Sequence, residues 1–163
     1  MLRIALLVLA VFAQSGDSAT TGNAALAPLW LYQGAWHVNR SGSQKPDQLV
    51  NQCAELGHYF ACQQTVNGVS GNLLVIVPTG QHGKYHTQVI EPSGSATGLS
   101  DLSIEGDRWS FSSRWNQGDK ITYYRTINVF SGKNRIHFEQ DESPDGKSWT
   151  TKNSGDEVRA AGR

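Results

Sequence analysis

The chain has 163 residues, 38% of them hydrophobic, and its 14 Lys and Arg balance its 14 Asp and Glu, so the formal net charge is zero. That length suits one domain with a real core and is short for two. With no basic run there is no cationic footprint for a nucleic-acid partner, and no apolar run reaches the length of a membrane-spanning helix.

Arg3 followed by the uncharged apolar run Ile4 to Ala13 reads as a signal peptide over residues 1–19, with cleavage after Ala13 or after Ala19. The mature protein is then expected to be secreted or periplasmic, where disulfides persist. Residues 20–28 are small and polar, and a flexible mature N-terminus is expected there. Ala25 to Tyr32 holds the remaining apolar stretch that suits a short helix, and Gly34-Ala35-Trp36-His37-Val38 begins the first strand.

Gln48 to Gly68 carries both cysteines. A two-residue loop at Gly57-His58, with glycine first, suits a type II′ turn. It pairs Leu56 with Tyr59, Glu55 with Phe60, Ala54 with Ala61 and Cys53 with Cys62. The cysteine pair falls on a non-hydrogen-bonded position, where Cα atoms approach to about 4.5 Å, close enough for a disulfide. The spacing fits neither a C-x-x-C redox motif nor a metal knuckle.

Short runs with period-two patterning follow, each bounded by turn residues. They are Asn72 to Val77, Lys84 to Glu91, Ala96 to Glu105, Arg108 to Trp115, Lys120 to Phe130, Arg135 to Asp141 and Lys147 to Asn153, and no helical period appears between Val38 and Asn153. About nine or ten strands joined this tightly form antiparallel neighbours, and closing the sheet removes its edges. The expected fold is therefore all-β, an antiparallel up-and-down barrel over residues 29–154 with a short N-terminal helix, and residues 155–163 as a flexible tail. A two-sheet sandwich needs longer crossover connections than this chain has.

Gly34-Ala35-Trp36, at the start of the first strand after a short helix, is similar to the Gly-x-Trp signature of lipocalins and the wider calycin barrels. Asn51-x-Cys53, Tyr59-Phe60-x-Cys62-x-Gln64, Ile104-Glu105-Gly106-x-x-Trp109-x-Phe111 and Arg125-x-x-Asn128-Val129-Phe130-Ser131-Gly132 resemble small secreted bacterial proteins with a lipocalin-like domain of unknown function. The resemblance implies a calycin-like barrel in which Gly34 and Trp36 are structural and a late arginine packs over the tryptophan. Arg125, Arg135 and Arg159 are the candidates for that arginine.

A barrel of this size can hold one small ligand. Trp109 and Phe111 share one strand face, and Tyr123 and Arg125 share a face of the next strand; with Tyr85 they are the candidate ligand-binding residues, for a small and mostly apolar ligand. No catalytic motif stands out: Gly68-Val69-Ser70-Gly71 is a turn sequence, and Ser143-Pro144-Asp145-Gly146-Lys147 resembles a hairpin turn more than an Asp-box. His82 and His86 lack a third ligand for zinc. His137 or His37 inside a barrel could ligate haem, but surface histidines explain them as well, so no metal and no cofactor is expected. Three functions remain: a non-catalytic ligand binder, a hydrolase or isomerase using Arg125 with a carboxylate or histidine inside the barrel, and a solid barrel that recognises an envelope partner.

Overall fold

The structure, a computed structural model, describes residues 23–161, and the expected signal peptide lies outside them. A 3-10 helix (Ala27–Tyr32) precedes ten strands, β1 (Gly34–Arg40), β2 (Asp47–Leu56), β3 (Tyr59–Val66), β4 (Val69–Pro78), β5 (Lys84–Ile90), β6 (Ser100–Glu105), β7 (Arg108–Gln117), β8 (Lys120–Ser131), β9 (Arg135–Ser143) and β10 (Thr150–Arg159). Each strand pairs with the next, and β10 returns to pair antiparallel with β1, so the sheet is a closed up-and-down barrel. No described helix is long and apolar enough to cross a membrane.

The turns follow their residues. Gly57 takes φ +66° between β2 and β3, and the pairing runs Leu56 with Tyr59 through Cys53 with Cys62, as the two-residue loop requires. The Cys53–Cys62 bridge joins Cα atoms 4.0 Å apart. The Cys53 N–H, pointing away from β3, donates to Gln33 Oε1 at 2.6 Å, just past the end of the β1 pairing. Between β3 and β4, Asn67 and Gly68 both take positive φ, the pattern of a type I′ turn.

Two boundaries differ from the sequence expectation. The segment up to Pro28 is docked rather than free from Ala25 onward: Leu26 is fully buried, and the Tyr85 hydroxyl donates to the Ala25 carbonyl at 2.6 Å. The last strand is Thr150–Arg159, not Lys147 to Asn153, so the expected tail from Gly155 supplies half of it. Its inward residues Gly155, Glu157 and Arg159 are not apolar, so no hydrophobic alternation marks it. Pairing with both β9 and β1 makes it a strand.

The apolar core gathers at one end of the barrel. Leu26, Leu29, Trp36, Phe60, Ile76, Tyr85, Leu102, Trp109, Phe130 and Ile136 pack there, with the 3-10 helix laid across the opening. Arg159 locks this plug. Its guanidinium lies 4.1 Å from the Trp36 ring centre, and it donates to the carbonyls of Leu31, Gln33 and Lys133 at 2.9, 2.5 and 2.8 Å. The carbonyls that end a helix have no partner within it, and here a guanidinium fork supplies one. Gly34 is required beneath it: φ is +121°, and a Cβ there would sit 2.6 Å from Arg159 Nη1.

Candidate functional site

Strand alternation decides what looks into the barrel. Trp36 is buried in the plug, so its pairing partners Leu49 and Arg159, and every second residue from them, face inward. On β2 these are Asp47, Leu49, Asn51 and Cys53; on β10 they are Gly155 and Glu157. Trp109 is likewise buried and pairs with Asn128, so β8 turns Asn128, Thr126 and Tyr124 inward. Above the plug the side chains stop short of filling the space. Two adjoining hollows of about 240 and 790 Å³ share Tyr32, Leu74, Thr126 and Asn128 on their walls.

The smaller hollow has the greater share of polar lining, about half of it, beside Val38, Leu49, Val66 and Phe138. Tyr32, Asn51, Gln64, Asn128, Gln140 and Glu157 line it, with the Arg40–Asp47 ion pair at 3.1 Å. Tyr32 stands at its base: the 3-10 helix carries the ring against Trp109, centroids 5.0 Å apart and edge to face, and Asn128 Nδ2 donates to its hydroxyl. Burial, with the Glu157 charge adding to it, pushes the Tyr32 phenol well above its ordinary value. Asn51 Nδ2 donates to the Tyr32 carbonyl at 3.2 Å, while Asn51 Oδ1 and Glu157 Oε2 are buried without a partner. Burial raises the Glu157 carboxyl to about 7, partly opposed by Arg40. Asp47 is held below its ordinary value by hydrogen bonds from Asn67 and Arg40.

The larger hollow opens to solvent past Val89, Ala96, Leu99, Phe111 and Trp115. Trp115 and Leu99 are among the most exposed large apolar residues described, at 62% and 70%. The interior therefore grades from a polar pocket against the β10–β1–β2–β3 wall to an apolar mouth between β5 and β7.

The structure brings only some of the expected ligand-binding residues to this space. Phe111 lines the larger hollow. Trp109 and Tyr85 face inward but are sealed into the plug. The β8 register, which pairs Trp109 with Asn128, turns the row from Ile121 to Val129 outward, so Tyr123 reaches neither hollow, whereas Arg125 still borders the larger one. Arg125 Nε donates to Asp141 Oδ2 at 2.8 Å, and its guanidinium lies 4.2 Å from the Trp149 ring centre. The Tyr123 ring packs 3.5 Å from the position of a Cβ on Gly146. Asp145 folds this loop, accepting from the backbone N–H groups of Lys147 and Ser148, which hold its carboxyl well below the usual range. None of the histidines His37, His58, His82, His86 and His137 lines either hollow; His86 and His137 bond Asp101 and Asp156 outside, at 3.0 and 3.2 Å. Among the described residues no group of three potential metal ligands comes together.

The sequence reading missed the polar wall, Tyr32, Asn51, Asn128 and Glu157. The signal was present: Asn51 precedes Cys53 by two residues and must share its face, and Asn128 follows Thr126 on the face opposite the apolar row.

No protein-family model matches the sequence, and no curated protein matches it. Among solved structures, the chain is similar in fold to the crystal structure of Rv2717c from M. tuberculosis, with a TM-score of 0.51 at 14% identity, covering 85% of this chain and 99% of that one.

Proposed function

We propose that the protein is an exported, calycin-like barrel that holds a small amphipathic ligand without catalysing a reaction on it. The open interior carries this reading: hollows of about 240 and 790 Å³ lie above a packed and locked floor. That space is in the size range of small-molecule sites, and a few polar groups at its deep end with apolar walls at its mouth is the usual division of labour in such sites. Export is supported by the charged-then-apolar leader in the sequence and by the Cys53–Cys62 bridge.

Native mass spectrometry of the purified protein is expected to show a bound small molecule that leaves on activation, and tryptophan fluorescence is expected to report its rebinding. Leu74 lies where the two hollows meet, so Leu74→Trp should fill the seam and weaken rebinding by about tenfold or more while circular dichroism keeps its β signature. A wild-type protein that arrives empty and takes up no amphiphile would refute the reading.

Glu157 favours a second reading. A carboxyl held near neutrality and lining the same hollow as a tyrosine hydroxyl is the equipment of general acid–base catalysis. Under that reading the bound molecule is recovered chemically changed, and Glu157→Gln stops the change while leaving binding in place.

A further inference from the structure

The polar wall of the chamber is chemically one-sided. Among the described residues three buried side-chain atoms lack a hydrogen-bond partner, Asn51 Oδ1, Glu157 Oε2 and Asp141 Oδ1. Asp141 stands on the outer face beside Arg125, whereas Asn51 and Glu157 line one hollow, on the two strands that flank β1. With Glu157 ionised, both inner atoms are acceptors. A buried acceptor left unpaired keeps its desolvation penalty, so with Glu157 ionised a molecule that relieves this wall must donate hydrogen bonds.

The protein's own groups do not fill that need. Arg40 is the cation of this hollow, but its Nε donates to Asp47 Oδ2 at 3.1 Å and it reaches neither unpaired atom, and Asp47 Oδ1 already accepts from Asn67 at 2.8 Å. The ionisable groups facing Glu157 are Arg40 from β1, Asp47 from β2 and Tyr32 from the 3-10 helix, while β9 presents Ile136 and Phe138. Tyr32 is kept neutral by its burial. With Glu157 ionised, one cation therefore stands against two anions, and the wall carries a net negative charge. Beyond it the surface is mostly apolar, through Leu74, Val89 and Phe111, with Glu91, Arg114 and Arg125 also on its border.

We propose that the chamber selects amphiphiles whose head group is a protonated amine, seated against Glu157 and Asn51, with the apolar tail running toward Phe111 and Trp115. This rests on the ligand-holding reading above and narrows it to one chemical class.

The test compares octylamine, octanol and octanoate, which share one tail, by titration calorimetry on the wild-type protein and on Glu157→Gln. At pH 8.5 octylamine is expected to bind about tenfold or more tighter than octanol, and octanoate weakest. At pH 5.5 the Glu157 carboxyl, raised by burial to about 7, is protonated while an alkylammonium keeps its charge, so the amine's advantage should shrink by about tenfold. Glu157→Gln should erase the difference between the two pH values. Octylamine binding no better than octanol at pH 8.5, or a pH dependence that survives in Glu157→Gln, overturns the proposal and leaves the barrel a container without this preference. Binding of none of the three overturns it together with the ligand-holding reading.

Discussion

Arg159 shows how one side chain can hold an end of the barrel shut. It stacks on Trp36 and satisfies three carbonyls, two of them at the end of the 3-10 helix. Arg159→Ala removes the stacking and leaves those carbonyls bare, and a loss of about 2–4 kcal/mol is expected by chemical denaturation. Arg159→Lys keeps the charge without the planar fork and should recover only part of it. The sequence resemblance called for a late arginine over Trp36 and left Arg125, Arg135 and Arg159 open, because choosing among them needs the register of β10 on β1. Glu157 makes its own prediction. Its folded pKa, about 7, lies above its ordinary 4.5, so the stability linked to it is fully present below about 4.5 and is lost as pH rises through about 7. Thermal melts of the empty wild-type protein should fall across that window by a margin that Glu157→Gln, compared at each pH, does not show.

Among the strands, the β2–β3 hairpin was legible and β10 was not, for physical reasons. A turn glycine and two cysteines at a fixed distance from it determine a register by counting, and no tertiary information is needed. Replacing both cysteines by serine opens a loop of about ten residues and should cost about 2–3 kcal/mol, seen as a lowered denaturation midpoint. β10 has no such local marker. Gly155 sits where a Cβ would meet the Phe138 ring 2.9 Å away and the backbone of Asn39 and Arg40, so the strand lies closely on β1 and β9 because a side chain is missing. Gly155→Ala should force those neighbours apart at about 1–3 kcal/mol. The same glycine, read in sequence, marks the start of a frayed tail.

Across the whole molecule the usual sense of inside and outside is inverted over part of the wall. Tyr123 and Arg125, read from the sequence as ligand-binding, sit on an apolar row from Ile121 to Val129 that covers the exterior, where Arg125, Asp141 and Trp149 form a partly buried cluster. Thr126, Asn128, Gln140 and Glu157 take the interior instead. Hydrophobic alternation finds a strand, but it assigns the faces correctly only where the interior is a dry core. This barrel has such a core at its plugged end alone, where Trp36 and Trp109 are buried, whereas the β8 row that carries Tyr123 and Arg125 lies along the outer wall.

The sulfur bridge has a further consequence. It is carried on the inner face of β2 and β3, and Cys62 forms part of the chamber wall with 2% of its surface exposed. A dissolved thiol that attacks Cys62 must enter the barrel, so whatever occupies the barrel stands in its way. The rate at which a reductant such as glutathione opens this bond thus becomes a built-in gauge of occupancy, slow when the container is full and fast when it is empty, readable without knowing the guest's name.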